Sequence, residues 1–68
     1  MPNQPHYYRP TTRGELVAKL EEGVACEVVT HNVKTTKMLV DNWLTPPPYT
    51  IRPSENQGWT VFELKGQP

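Results

Sequence analysis

Sixty-eight residues are enough for one small domain. Seven basic side chains balance seven acidic ones, so no overall charge attracts nucleic acid, an anionic membrane or a basic partner. The hydrophobic fraction is only 35%, and the single cysteine, Cys26, excludes an internal disulfide, so we expect modest stability or help from a partner or a second copy.

The sequence predicts a cytoplasmic protein. No run of residues approaches the roughly 20 apolar residues that span a bilayer. Residues 1–6 lack the basic start and the apolar core of a signal peptide. A single free thiol is typical of a reducing compartment.

A proline-rich arm precedes the domain. Residues 1–10 contain three prolines and no apolar periodicity, which predicts a flexible N-terminal arm. Its last part, from Tyr7 to Arg9, is expected to lie against the domain because its large aromatic and guanidinium side chains favour contact with a protein surface. We predict a single domain over residues 11–65 and a frayed C-terminal tail at 66–68.

The first helix is predicted over residues 12–22. Thr12 and Glu15 match a capping box, in which each side chain accepts a hydrogen bond from a backbone amide that the helix leaves without a partner. Apolar residues recur at helical spacing over residues 16–20. Gly23 occupies the position where a helix often ends with a residue in the left-handed conformation.

A β-branched segment follows the glycine. Residues 24–30 predict a strand. Alternation gives two faces, and we predict that the face with Val24, Cys26 and Val28 packs against the core. The other face, with Ala25, Glu27 and Val29, is only partly apolar.

Residues 33–44 are compatible with two structures. Apolar residues recur at helical spacing, Asn32 suits a helix N-cap and Asp41 suits a strand poorly, so a helix is favoured. In the alternative, residues 24–40 form a β-hairpin, which leaves one main helix.

Two strands close the chain. The prolines at 46–48 end the preceding element, and residues 49–52 and 59–64 predict strands joined by a turn-forming loop, as in an antiparallel hairpin. The element order is therefore α-β-α-β-β. A right-handed crossover places both helices on one face of a three-stranded mixed sheet, giving a small two-layer α+β sandwich whose other sheet face is largely exposed.

The residue types do not support a catalytic or metal site. A metal ion needs about three or four ligands, and the soft or borderline donors are limited to Cys26, His6 and His31. Ser54 is the only serine, and it lies in a predicted turn without a nucleophile elbow. No glycine loop for phosphate is present. We therefore predict a non-enzymatic chain with no metal and no cofactor.

Protein binding is the function that the sequence favours. Large aromatic side chains are enriched in interface hot spots, and they predict a protein-binding site that includes Trp43, Trp59 and Phe62. The expected partner is another protein or a second copy of the chain, including a homodimer. A regulatory or accessory role of this kind is typical of small bacterial or phage proteins.

Nucleic acid is the alternative partner. Sheet aromatics beside basic side chains can bind single strands, and a strand-to-helix junction can hold an anion on its free amides. The candidate anion or nucleic-acid contacts are His31, Asn32, Lys34, Thr35, Lys37 and Arg52. In the competing interpretation, Asn32 only caps the helix and the lysines are solvated.

A short proline motif offers one further hypothesis. Residues 46–49 fit the Pro-Pro-x-Tyr pattern that WW domains bind in the polyproline II conformation. The competing interpretation is a rigid connector whose tyrosine begins the next strand.

Overall fold

A computed structural model describes residues 6–66. Its elements in chain order are α1 (Arg13–Glu21), β1 (Cys26–Val29), a short 3-10 helix (Thr30–Asn32), α2 (Val33–Asp41), β2 (Tyr49–Pro53) and β3 (Trp59–Leu64). The predicted α+β class and the order α-β-α-β-β are confirmed. The hairpin alternative for residues 24–40 is wrong, because β1 continues directly into the 3-10 helix and α2.

The start of α1 follows from a side-chain cap. Oγ1 of Thr12 accepts a hydrogen bond from the backbone N–H of Glu15 at 3.1 Å, which is half of the predicted capping box. The other half is shifted by one residue, because the carboxylate of Glu15 accepts from the backbone N–H of Thr11 at 2.7 Å. The cap therefore also fixes the chain that enters the helix.

Gly23 sets the end of α1. Its φ of +84° is the left-handed conformation that the sequence predicted. Its N–H donates to the carbonyl of Leu20 at 2.9 Å, and the N–H of Val24 donates to that of Lys19 at 2.9 Å. This pair of bonds is a Schellman motif, which ends the helix and turns the chain toward β1.

The last strand, β3, lies at the centre of the sheet. The strand order is β1-β3-β2, and both neighbouring pairs are antiparallel. The predicted mixed sheet is therefore wrong in this detail. Because β1 and β2 each run opposite to β3, they are parallel to each other, but β3 separates them and no parallel pair forms between them.

Both helices contribute to one core. The register aligns Cys26, Phe62 and Ile51 across the three strands, which places them on the same sheet face. The buried cluster on this face combines strand residues with residues of α1 and α2, namely Leu16, Val17, Leu20, Cys26, Val40 and Phe62. The predicted core face of β1 is confirmed for Cys26.

The other sheet face is not as open as predicted. Glu27 and Val61 are neighbours on this face, and their exposed fractions are 1% and 0%. Residues 7–10, here called the N-terminal strap, run along the free edge of β1. The backbone of Tyr8 accepts from the N–H of Glu27 at 2.8 Å and forms a parallel bridge to Cys26. The strap is therefore packed against the edge of the sheet.

The side chain of Tyr7 connects the strap to the far side of the sheet. Its hydroxyl donates to the carboxylate of Glu55 at 2.8 Å and accepts from Nη2 of Arg52 at 3.2 Å. Arg52 lies on β2 and Glu55 in the loop between β2 and β3. The strap therefore contacts both edges of the sheet.

Candidate binding groove

A buried carboxylate holds the strap in place. Oε1 of Glu27 accepts from Nε of Arg9 at 2.9 Å, and Oε2 accepts from Oγ of Ser54 at 2.5 Å and from Nδ2 of Asn56 at 2.8 Å. The Glu27 side chain is 0% exposed, whereas that of Arg9 is 53% exposed. Glu27 therefore joins the strap, β1 and the β2–β3 loop through a single charged group.

The electrostatic balance at Glu27 favours its ionised form. Burial alone raises the pKa of this carboxyl, but the hydrogen bonds from Ser54, Asn56 and Arg9 outweigh burial and hold the pKa below its ordinary value. The carboxylate is thus a stable negative charge at neutral pH, and its partners balance it completely.

This pKa shift predicts a pH dependence of stability. Because the folded-state pKa is lowered, the contribution of Glu27 is present above its unfolded pKa of about 4.3 and is lost as pH falls below it. Between pH 5 and the acid limit, we expect the unfolding free energy of the wild type to fall more steeply than that of Glu27→Gln, whose residue 27 does not titrate. Urea denaturation at a series of pH values measures both slopes, and parallel slopes would refute this assignment.

The strap, the start of α1 and one side of α2 enclose a groove of ≈ 440 Å³. One wall is polar and carries the side chains that precede and begin α1, namely Arg9, Thr11, Thr12 and Arg13. The remainder is largely apolar and includes Leu16, Val28, Val29, Leu39 and Trp59. We call this cavity the strap groove.

Two arginines lie over the two tryptophans beside the strap groove. Cζ of Arg9 is 3.7 Å from the ring centroid of Trp59, and Cζ of Arg13 is 5.1 Å from that of Trp43. Both distances are within the range of cation–π attraction. Trp59 lines the groove, whereas Trp43 does not, although Arg13, which lies over Trp43, is part of the lining.

Helix α2 presents different sides to two depressions. Thr36 and Leu39, together with Asn32 just before the helix, line the strap groove. Lys37 and Asp41 line a second, shallower depression beside the proline segment. Leu39 is 42% exposed on the groove side. Met38, the next residue, is 57% exposed and lines neither depression.

Phe62, the third predicted protein-binding residue, belongs to the core. It is 0% exposed, and its ring stacks on that of Tyr49 with centroids 5.6 Å apart. It lies on the sheet face that the helices cover, so in this conformation it cannot contact a partner. The prediction for Phe62 is corrected accordingly.

Arg52 lies on β2, whereas the other predicted anion contacts lie along the 3-10 helix and α2, over residues 31–37. Asn32 lines the strap groove, Lys37 pairs with Asp41 at 2.6 Å, and Arg52 pairs with Glu63 at 2.9 Å on the sheet face away from the helices. The remaining candidates are exposed on or near α2: His31, Lys34 and Thr35.

The predicted anion cradle at the start of α2 has a different geometry. The Asn32 side chain forms no cap hydrogen bond, and the backbone N–H of Val33 donates to the carbonyl of Thr30. The intervening 3-10 turn thus occupies an amide that a sharp strand-to-helix junction leaves free.

The tyrosine of the proline motif is bound within the domain. Its hydroxyl donates to Oδ1 of Asp41 at 2.6 Å, and the ring of this residue, Tyr49, is half-buried against Phe62. A WW domain grips this tyrosine in its own groove. The contacts therefore favour the connector interpretation.

The described residues offer little for nucleophilic or metal chemistry. Burial raises the pKa of the Cys26 thiol to about 11, so the thiol stays protonated and unreactive at neutral pH. Ser54 donates to the carboxylate of Glu27 without an intervening histidine. Within residues 6–66, no three side chains of His, Cys, Asp or Glu are grouped so that they could hold a metal ion.

Over the described part of the chain, no helix has the length and apolar character needed to cross a membrane. Comparison of the chain with protein-family models, curated proteins and solved structures finds no match in any of the three.

Proposed function

We propose that the chain is a non-enzymatic protein-binding module, and that the strap groove receives apolar side chains of its partner. The observation that carries this proposal is the convergence of exposed and half-buried apolar residues at a single concave surface. Val29 is 37% exposed, Leu39 is 42% exposed, and half-buried Trp59 of β3, which pairs with Val29 of β1, lines the same groove. Tryptophan and arginine, which meet here twice, are the residues most enriched in interface hot spots.

The shape of the groove supports binding. Its volume of ≈ 440 Å³ lies within the range of roughly 300–1,000 Å³ that is usual for ligand sites. Exposure of an apolar concavity to water is unfavourable, and covering it with apolar groups lowers the free energy. A partner that inserts one or two side chains is therefore favoured.

The charges in the groove weigh against catalysis. Its ionisable side chains are Arg9, Arg13 and Glu27. Both oxygens of Glu27 already accept hydrogen bonds, and arginine remains protonated at any working pH. The lining thus lacks a group that readily exchanges a proton with a substrate.

The charge pairing on the outer sheet face favours protein over nucleic acid as the partner. Arg52 pairs with Glu63 at 2.9 Å and with Glu55 at 3.7 Å, and Arg9 pairs with Glu27. Carboxylates thus accompany the basic side chains that lie near the sheet aromatics, and they repel a phosphate backbone. The free thiol of Cys26 supports a cytoplasmic setting for this module.

Two neighbouring residues of α2 provide the test. Leu39→Glu places a charge in the groove, and Met38→Glu places the same charge on the helix outside it. With immobilised protein and an extract of the native host, we expect Leu39→Glu to lower capture of the partner by about tenfold, since an unpaired carboxylate against apolar surface costs at least about 1.4 kcal/mol.

Met38→Glu should capture the same partner as the wild type. Quantitative mass spectrometry of the bound proteins gives the comparison, and circular dichroism checks that both variants are folded. Capture that is equal for the two variants, or no specific capture by the wild type, would overturn the proposed function.

A further inference from the structure

We infer that the segment bound in the strap groove is an acidic peptide, in which a carboxylate stands beside an aliphatic side chain. This inference rests on the proposed function and specifies the chemistry of the partner. It follows from the charge of one wall and the apolar character of the rest.

The polar wall carries one positive charge without an ion pair, that of Arg13, because Arg9 and Glu27 balance each other. Glu27 is wholly buried and neutralised by its own donors, so it presents no charge to an occupant. The guanidinium of Arg9 uses Nε for Glu27 and stays 53% exposed. Arg13 is exposed over Trp43, and none of the ion pairs formed by the described residues includes it. Two guanidiniums therefore offer N–H donors to an anion.

The beginning of α1 adds to the same wall. Thr11, Thr12 and Arg13 line the groove where the helix starts. Glu15 and Thr12 already accept from the backbone amides at this end, so the Arg13 guanidinium is the group that attracts a carboxylate. Bidentate pairing of a guanidinium with a carboxylate gives such a contact directional specificity.

The apolar part of the groove selects the rest of the segment. Val28, Val29 and Leu39 provide aliphatic surface in the same groove as the arginines. A bare inorganic anion leaves this apolar surface exposed to water, whereas an aliphatic side chain beside an aspartate or glutamate covers it. An acidic peptide thus matches both halves of the groove, and a polyanion matches one.

Selection from a random heptapeptide library displayed on phage tests this inference. Against the full chain, we expect enriched sequences that place Asp or Glu next to Leu, Ile, Val or Phe. A synthetic peptide of the enriched sequence should bind Arg13→Gln at least about threefold more weakly than the wild type, because the variant lacks the guanidinium that forms the charge-assisted contact. Lys34→Gln, which removes a charge from an exposed site on α2 outside the groove lining, is the matched control and should bind as the wild type does.

The outcomes separate this inference from the proposed function. Enriched peptides without acidic residues, an unaffected Arg13→Gln, or no enrichment at all would overturn the acidic-peptide inference. Displacement of the peptide by a mixed-sequence single-stranded oligonucleotide would also overturn it, in favour of a polyanion, and so would a dimer that Leu39→Glu dissociates, in favour of a second copy. If Leu39→Glu loses capture of the host partner and Met38→Glu does not, the proposed function is supported whatever the peptide selection shows.

Discussion

Replacing Glu27 by alanine is expected to lower the free energy of unfolding by about 3 kcal/mol, since removal of one member of a buried charged network leaves the others without a partner. Ser54 and Asn56 both donate to the lost carboxylate, and Arg9 loses its ion pair. Arg9 is half exposed, so water compensates part of its loss and the estimate stays at the lower end of the range for buried pairs.

Urea denaturation followed by tryptophan fluorescence measures this loss. Glu63→Ala is the matched control, because Glu63 also pairs with an arginine on the outer sheet face but its side chain is 30% exposed. We expect that control to cost only about 0.5 kcal/mol. Glu27→Gln, which retains one acceptor oxygen, should be intermediate and folded. Equal losses for Glu27→Ala and Glu63→Ala would show that the Glu27 network does not hold the strap.

Replacing Phe62 by alanine is expected to cost about 3–5 kcal/mol, since it opens a cavity where a fully buried aromatic ring packs. Phe62 lies on the central strand between Cys26 and Ile51, and its ring stacks on Tyr49. A chain of this size has a total stability of roughly 3–10 kcal/mol at about 0.05–0.15 kcal/mol per residue. Phe62→Ala should therefore lose a large part of this stability and melt at a much lower temperature than the wild type.

A matched pair of variants keeps this prediction measurable. Phe62→Leu retains most of the volume and should remain folded with a smaller loss. Trp43→Ala removes a larger ring, but Trp43 is 36% exposed, so we expect a loss of only about 1 kcal/mol. Calorimetric melting of the three variants gives the order. A greater loss for Trp43→Ala than for Phe62→Leu and Phe62→Ala would contradict the positions assigned to these two residues.

Signals that act over a few residues explain why the element order could be predicted. The Thr12 cap and the glycine at 23 fix both ends of α1 through hydrogen bonds within the same segment. Helical spacing likewise identified α2 against the hairpin alternative. The order of strands in the sheet depends on long-range pairing, and for this reason the predicted mixed sheet was wrong.

Contacts between distant segments explain what the sequence did not reveal. Glu27 occupies a strand position that alternation assigns to the outer face, and its burial requires Arg9, Ser54 and Asn56 from two other segments. A lone carboxylate between Cys26 and Val28 was the available signal, but it does not identify the donors.

The aromatic residues of β3 show the same limit. Trp59 and Phe62 are three positions apart and therefore lie on opposite sheet faces. The sequence does not say which face the helices cover, so both were predicted as binding residues, whereas Phe62 is in the core. The position of Trp43 beside the strap groove likewise depends on the packing of Arg13, which local patterns do not determine.

The most direct test of the strap groove as a docking surface is a map of backbone amide shifts on the isotope-labelled chain when the captured partner is added. We expect the largest changes at residues that line the groove on the strap, β1 and α2, namely Arg9, Val28, Val29, Asn32, Thr36 and Leu39. Changes confined to the second depression, around Lys37 and Tyr49, with groove amides unmoved, would contradict the account.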